Sequence, residues 1–464
     1  MTSFKKTALS IALFIGLNSQ TALAQAISKT EKQQVIDKVS ELMSEYYVYP
    51  EVATKTNEKL KLAFKQGEFM AHTDSEEFAK ALSIWLKETA EDRHLRVRAN
   101  PVNQEVKGAE SRLRDSLLNP PRFGSQNKGV VAAKVLENNI GYMDLRGFYR
   151  LIESQPYIDS AMKLLANTDA IIIDLRKNGG GSPRTVQYLC SYFFDKKLLL
   201  NSLYYREDNE TIDYYVLDEV AGEKLPDVPL YVLTSNRTAS AAEEFSYNMQ
   251  TRKRATLVGE TTRGAANPGG MFTINDNFRM FVATGAAINP ITKTNWETVG
   301  VVPHVATKKD QALDKAIELA SIEVEKNWQT LKAEREQPLD KLLSILNDAK
   351  QSKKSLTDIR QSYQQQTKAL INALNLSDEE LAELAYESWE TSPKYAVFLF
   401  EIAVTFNEQE LYLYEYWARA LARLDQLNEA KTVINIGLSK VKSEEHKTML
   451  KDALTEITVS KNML

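Results

Sequence analysis

A serine at the start of a helix is the first candidate for chemistry in this sequence. Ser240 follows an apolar run that ends at Thr234 and precedes the segment AAEEFSYNM, a pattern that predicts a strand turning into a helix. There the hydroxyl is exposed, and the first free backbone amides of the helix point toward whatever the oxygen attacks. Ser240 and Glu243 also fit an ordinary capping box. The local sequence leaves both interpretations open.

A glycine loop is the second candidate. Gly179, Gly180 and Gly181 directly follow the apolar strand-like run that ends in DLRKN. Backbone amides in such a loop approach a substrate without side-chain obstruction and suit an oxyanion hole. They would also suit a phosphate, but the Lys-Ser/Thr ending of a P-loop is missing and the glycines are consecutive rather than spaced as in a dinucleotide turn.

A serine nucleophile needs a base, and the histidines supply the candidates His72, His94, His304 and His446. His94, in AEDRHLRVR, lies where a predicted helix gives way to a strand-like run. His72 lies in a polar turn, and His446 in the C-terminal helices. Chain position alone leaves the choice open.

The composition narrows the class of protein. Hydrophobic residues make up 43% and charged residues 26% of 464 residues, with a net charge of −4, which is typical of a globular protein and gives no sign of a nucleic-acid surface. The single cysteine, Cys190, lies in the apolar stretch VQYLCSYFF, so we expect a buried, inert thiol. One cysteine forms no internal disulfide and no thiolate zinc site.

The N-terminus predicts export. Residues 1–24 combine Lys5 and Lys6, an apolar run from Ala8 to Leu17, and a small-residue box at residues 22–24, as in a signal peptide. No later stretch has the roughly 18 uncharged apolar residues that a membrane span requires. We therefore expect a periplasmic or secreted protein.

The rest of the chain divides by pattern into five segments. We predict an N-terminal helical domain at 28–98, a linker at 99–128, an α/β core at 129–307, a helical linker at 308–372 and an all-α module at 373–464. In the core, the runs Ala170 to Leu175 and Leu230 to Thr234 are apolar without alternation, as in strands covered on both faces.

The all-α module contains an internal repeat. KYAVFLFEIAVTFNE and NEAKTVINIGLSKVK superpose with a shift of 34 residues, which places Ala396 on Ala430 and Ala403 on Gly437. This period predicts tetratricopeptide-like helix pairs and, from them, a protein-binding role. A plain helical bundle that covers the core is the alternative.

Four motifs in order, DLRKNGGG, LTSNRTASAAEEF, VGETTRG and AINPITKTNWETVGVVPHV, resemble the C-terminal-processing (tail-specific) and tricorn-core serine peptidases. The likeness is greatest to the branch related to interphotoreceptor retinoid-binding protein, and it includes the DRHLRV segment. It implies a crotonase-like α/β core (ClpP/crotonase ββα), hydrolysis of a polypeptide substrate and a nucleophile at Ser240.

The resemblance also implies roles for single residues. The processing branch uses a lysine in a Gly-Lys pair, but Gly264-Ala265 stands at that place here. The tricorn-like branch uses an upstream histidine and a glutamate before Gly-Val-x-Pro, which correspond to His94 as base and Glu297 as its orienting partner. The implied oxyanion hole is formed by the amides of Gly180 and Ala241, with Gly179 and Gly181 in the substrate loop. The resemblance implies no metal and no organic cofactor.

Three residues depart from the family pattern. Asn267 stands where relatives often have histidine, Arg93 where the tricorn core has a hydroxyl residue, and His304 where aspartate is usual, which makes His304 a rival base. The alternative to a peptidase is a non-catalytic protein that binds an apolar ligand or a peptide in the same cleft. Retention of serine, histidine and glutamate together favours the enzyme.

Overall fold

The computed structural model describes residues 26–100 and 126–459, together with isolated helical residues at 110, 113, 114 and 118. The predicted signal peptide and most of the predicted linker at 99–128 lie outside this part. The chain divides into two compact units, Met1–Val324 and Glu325–Leu464. Among the described helices, none combines the length and apolar character that a membrane crossing requires.

The first unit begins with a helical layer. Asp74 caps the third of its helices by accepting hydrogen bonds from the N–H groups of Glu76 and Glu77, both at 2.9 Å. Glu91 ends that helix in the left-handed conformation, with φ 51°, and turns the chain into a short strand. These elements are α1 (Lys29–Tyr46), α2 (Pro50–Lys65), α3 (Ser75–Ala90) and β1 (Arg96–Ala99).

Strand β1 finds its partner far along the chain. It pairs antiparallel with β10 (Phe278–Ala283), which pairs in turn with β9 (Gly269–Asn275). The run FRMFVAT, which the sequence groups with the α/β core, therefore lies against the N-terminal helices, and Phe278 and Met280 are fully buried there. This pairing fixes the chain just after His94.

A six-stranded sheet forms the centre of the first unit. Its strands are parallel except the edge strand β2, and both faces are covered. Ile171 and Ile173 pack into one core, whereas Ala170 and Ile172 pack into another beneath the start of a long helix. The predicted two-sided burial is confirmed. In spatial order, the strands are β12 (Val305–Ala306), β8 (Thr256–Gly259), β7 (Leu230–Thr234), β4 (Ala170–Asp174), β3 (Ile140–Leu145) and β2 (Val130–Leu136).

The helices α4 (Leu151–Leu165), α5 (Pro183–Ser191) and α6 (Ala241–Thr251) contribute to the first of these cores. Beside them lies a small antiparallel sheet of β5 (Leu199–Tyr205), β6 (Glu210–Tyr215) and β11 (Gly285–Ile288). Cys190 is a buried free thiol whose pKa burial raises well above its usual value, as expected of an inert cysteine.

The second unit is helical. Ala396, Ala403 and Ala430 are fully buried, and Gly437 packs so closely that an added Cβ would lie 2.8 Å from Cγ of Tyr414. The small repeat positions thus lie where neighbouring helices approach. The helices are α7 (Ala312–Gln351), which begins in the first unit, α8 (Leu356–Leu374), α9 (Asp378–Ser388), α10 (Pro393–Phe406), α11 (Leu411–Arg423), α12 (Leu427–Lys440) and α13 (Glu444–Val459).

Candidate active site

Ser240 occupies the turn between β7 and α6 in an unusual backbone conformation. Its φ is 56° and its ψ is −124°, a region that costs a non-glycine residue free energy and is found most often at functional sites. The main-chain N–H donates to Oε2 of Glu243 at 2.8 Å, whereas Oγ makes no cap hydrogen bond. The capping box of Ser240 and Glu243 is therefore present, but the contact between Oγ and the Glu243 N–H lacks the geometry of a hydrogen bond.

Gly180 lies directly against Ser240. Its φ of 105° favours glycine, and a Cβ there would lie 2.7 Å from Cβ of Ser240 and 3.0 Å from the nitrogen of Ala241. The Gly180 N–H donates to Oδ1 of Asn178 at 2.9 Å, while the Ala241 N–H has no acceptor among the described residues. The glycine loop and the helix start therefore lie in contact, and the Gly180 N–H already has an acceptor.

His94 lies between a carboxylate and an aromatic ring. Its Nδ1 is 3.4 Å from Oε2 of Glu297 and 3.9 Å from Oδ1 of Asp92. Nδ1 is buried without a well-aligned hydrogen bond, so the contact with Glu297 is an ion-pair distance rather than an ideal hydrogen bond. The ring stacks on Phe281 of β10 with centroids 5.7 Å apart. The structure thus brings together two residues that the sequence separates widely.

Glu297 is held by main-chain amides. Oε1 accepts from the N–H of Arg93 at 2.9 Å, and Oε2 from those of Ala266 at 2.6 Å and Asn267 at 3.0 Å. Burial acts to raise the pKa of Glu297, but His94 and these amides outweigh it, and the pKa lies below its usual value. Glu297 is therefore a fixed negative charge beside the imidazole.

A second acid, Asp92, lies beside His94. No role was predicted for this aspartate from the sequence. It is fully buried, and its carboxylate accepts from the His94 N–H at 2.8 Å, the Tyr47 hydroxyl at 3.1 Å and Nδ2 of Asn267 at 3.1 Å. Burial and then the charge of Glu297 raise the pKa of Asp92. The signal in the sequence was an aspartate two residues before the histidine, in DRH.

One loop connects the two halves of the site. Glu243, three residues after Ser240, accepts from the hydroxyl of Thr262 at 2.5 Å and from the amides of Gly264 at 2.6 Å and Ala265 at 3.0 Å. The next two amides of this loop, at 266 and 267, donate to Glu297. The helix that carries Ser240 and the carboxylate beside His94 are therefore fixed to the same six residues.

Asp92, His94 and Glu297 each offer one possible ligand atom for a metal ion within 4.8 Å of the others. All four carboxylate oxygens already accept hydrogen bonds from protein groups, as described above. This donor set suits the orientation of an imidazole better than the coordination of a cation.

The other histidines lie elsewhere. Nδ1 of His304 accepts the main-chain N–H of Leu257 at 3.0 Å, so that nitrogen is committed to the edge of the central sheet. His446 belongs to α13 in the second unit, and His72 lies in the turn before α3. Among the described residues of the first unit, neither His304 nor His72 forms an ion pair or hydrogen bond with Glu297.

The chain matches two models of one protein family. Residues 139–307 match the model of peptidase family S41, and residues 20–131 match the N-terminal domain of this peptidase in eukaryotic IRBP. The chain is 29% identical over 167 residues to chloroplastic carboxyl-terminal-processing peptidase 2 of Arabidopsis thaliana, covering 35% of this chain and 31% of that protein. It is 26% identical over 152 residues to the carboxyl-terminal-processing protease of Picosynechococcus sp., covering 33% and 35%.

The chain thus spans about a third of the length of these curated relatives. Two solved structures also align with it. Mature CPAF covers 64% of this chain and 96% of its own, with 12% identity and a TM-score of 0.42, and the tricorn protease covers 64% and 37%, with 14% identity and a TM-score of 0.40.

The family model and both relatives are peptidases, so the likeness of this chain is to that class of protein. Residues 139–307 therefore resemble peptidase family S41, and residues 20–131 resemble its IRBP-type N-terminal domain. The family resemblance read from the four motifs is confirmed.

Proposed function

We propose that this protein hydrolyses peptide bonds through an acyl-enzyme on Ser240. The observation that carries the proposal is the loop at 262–267, which binds Glu243 beside Ser240 and Glu297 beside His94. A nucleophile, a base and an acid that orients the base are the parts that acyl transfer requires.

In this mechanism, His94 takes the proton of the Ser240 hydroxyl as the oxygen attacks the substrate carbonyl. Glu297 keeps the proton of the neutral ring on Nδ1, which leaves the other nitrogen free to act as base, and it stabilises the imidazolium that forms. His94 then returns the proton to the leaving amine. Water attacks the ester of Ser240 in the second half-reaction, with His94 again as base.

The oxyanion of each tetrahedral intermediate needs amide donors. The Ala241 N–H lies at the start of α6 and is the first donor we propose. The Gly180 N–H is the second donor. Because it already donates to Oδ1 of Asn178, it must either leave that oxygen or donate to both oxygens when the substrate carbonyl binds. Gly179 and Gly181 leave the loop free of side chains.

Two variants test the mechanism on the purified protein with an unfolded polypeptide as substrate. Ser240→Ala and His94→Ala should each lower kcat by about 10³-fold or more. Ser160→Ala, an exposed serine of α4, is the matched control and should retain full activity. Undiminished hydrolysis in both site variants would remove the mechanism.

A fluorophosphonate label separates the enzyme from a binding protein on the same fold. Covalent modification of Ser240 is expected, and none in Ser240→Ala. A folded wild-type protein that takes no label would favour a protein that only binds an apolar ligand or a peptide.

Two further roles belong to this proposal. Residues 1–24 direct export to the periplasm or beyond, which N-terminal sequencing of the mature protein tests. The tetratricopeptide-like helices α9 to α13 bind a partner or present the substrate, because small residues recur where they pack. Removal of residues 356–464 should change partner binding or substrate range, and an unchanged range would contradict this role.

A further inference from the structure

A basic cavity lies beside the imidazole and its carboxylate. Its volume is about 620 Å³, and four of the side chains that line it are cationic: Lys87, Arg93, Arg96 and Arg263. Thr298 also lines it, and Glu88 and Glu91 are the acidic residues of its wall.

The walls of this cavity come from the segments that build the site. Arg93 directly precedes His94, and its N–H bonds Glu297. Thr298 directly follows Glu297 and donates its N–H to the carbonyl of Gly264 at 3.0 Å. The Arg263 N–H donates to the carbonyl of Thr238, two residues before Ser240, at 3.0 Å. A group bound in the cavity would therefore be next to the reacting residues.

The cations of the cavity lack acidic partners. Within the described ranges, no carboxylate forms an ion pair with Lys87, Arg93, Arg96 or Arg263, although Glu88 and Glu91 share the cavity wall. Nε of Arg96 is buried and has no hydrogen-bond acceptor in this part of the chain. Its guanidinium lies 5.0 Å from the centre of the Phe281 ring, the same ring that stacks on His94.

Burial and the uncompensated charge together lower the pKa of two of these groups. Burial lowers the pKa of Lys87, and the charges of Arg96, Arg263, Arg93 and Arg98 lower it further. Burial likewise lowers the pKa of Arg96, with smaller contributions from Arg98 and Arg263. Mutual repulsion of this kind is relieved by an anion, and a cleft lined by one sign of charge concentrates such ligands.

We propose that the cavity of Lys87, Arg93, Arg96 and Arg263 binds a carboxylate of the peptide substrate next to the scissile bond. This specificity rests on the proposed peptidase function. The carboxylate is supplied either by an acidic side chain or by the free C-terminus of the peptide. Arginine forks bind carboxylates with two parallel hydrogen bonds, which gives both affinity and orientation.

The test measures binding rather than turnover, with the Ser240→Ala protein and fluorescent peptides followed by anisotropy. One peptide has a glutamate and a free C-terminus, a second has its C-terminus amidated, a third has glutamine for glutamate, and a fourth has both changes. We expect the fourth to bind about tenfold more weakly than the first, and added salt to weaken only the charged peptides. The second and third identify which carboxylate is bound.

Lys87→Gln and Arg263→Gln, each in the Ser240→Ala background, should remove this preference. Lys80→Gln loses the same charge from an exposed position of α3 outside the cavity and is the matched control. If one cavity variant does not fold by circular dichroism, the other carries the test. Equal affinity for all four peptides, no measurable binding of any, or a preference unchanged in both variants would overturn the proposal.

Different results would overturn the acyl-enzyme on Ser240 and the carboxylate specificity of the cavity. Charge-dependent binding combined with full hydrolysis by Ser240→Ala would retain the cavity and remove the acyl-enzyme. Loss of hydrolysis in Ser240→Ala combined with charge-independent binding would retain the acyl-enzyme and remove the carboxylate specificity.

Discussion

The side-chain amide of Asn267 donates a hydrogen bond to the buried carboxylate of Asp92 at 3.1 Å, across 175 positions of the chain. The main-chain N–H of Asn267 also donates to Glu297, at 3.0 Å. This one residue therefore bonds both acids beside Nδ1 of His94. The family resemblance marks it as a departure from histidine, and in this protein its amide completes the donor set of Asp92.

Asp92→Asn should lower kcat by about tenfold or more with little change in KM, because asparagine keeps only one acceptor oxygen, so either the His94 N–H or the Asn267 amide loses its partner. The double variant Asp92→Asn/Asn267→Asp exchanges donor and acceptor and should recover part of kcat. A purely structural role would lower the melting temperature without this recovery of kcat.

Glu297→Gln should lower kcat by about 10³-fold while the protein stays folded, because glutamine keeps the shape but loses the charge that stabilises the imidazolium. Steady-state kinetics and circular dichroism measure both effects. Glu219→Gln, at an exposed position, removes an equal charge and serves as control. Equal kcat in the two variants would contradict the role of Glu297.

Gly180→Ala should abolish peptide hydrolysis and lower the melting temperature. Its Cβ would approach the Cβ of Ser240 to 2.7 Å and the carbonyl oxygen of Ala239 to 2.8 Å, at a φ of 105° that alanine rarely adopts. Gly270→Ala, in β9, is the matched control, because a Cβ there meets only Cε2 of Phe272, at 3.8 Å. An active Gly180→Ala protein would show that the loop adapts and that this contact does not position Ser240.

The stability of the protein should depend on the ionisation of Glu244 between about pH 4.5 and pH 8. Burial raises the pKa of Glu244 to about 8, against a hydrogen bond from Asn201 that lowers it. Because the folded pKa lies above the unfolded value, the stability contributed by the protonated acid is complete below about pH 4.5 and is lost as pH rises to about 8.

Glu244→Gln removes this titration. The difference in unfolding free energy between Glu244→Gln and the wild type should therefore rise by up to about 1.4 kcal/mol per pH unit between about pH 4.5 and pH 8. Above pH 8 this difference should stay constant. Denaturant unfolding at several pH values measures this difference. A difference that does not change with pH would show that Glu244 titrates normally.

Gly437→Ala should destabilise the second unit. Alanine normally stabilises a helix over glycine by about 1 kcal/mol, but here its methyl group would approach Cγ of Tyr414 to 2.8 Å and Cβ to 2.9 Å. Ser439→Ala, an exposed change on the same helix, should be neutral or stabilising. A Gly437→Ala protein with a higher melting temperature would mean that the two helices separate at little cost.

The local features of the fold could be predicted from the sequence, because they depend on residues that are neighbours in the chain. The helix start at Ser240, the glycine loop at 179–181 and the strands buried on both faces all follow from local spacing and from the conformational preferences of single residues. Glu297 was named only through the family resemblance, because nothing near it in the chain marks its role.

Contacts between segments that are far apart in the chain could be seen only in the folded structure. The N–H of Arg93 bonds Glu297 across 204 positions, and β1 pairs with β10, which lies about 180 positions further along the chain. Periodicity carries no information about such contacts, since they depend on the path of the whole chain and on which apolar faces bury each other. Asp92, an ordinary polar residue in the sequence, thereby becomes a buried acid beside the imidazole.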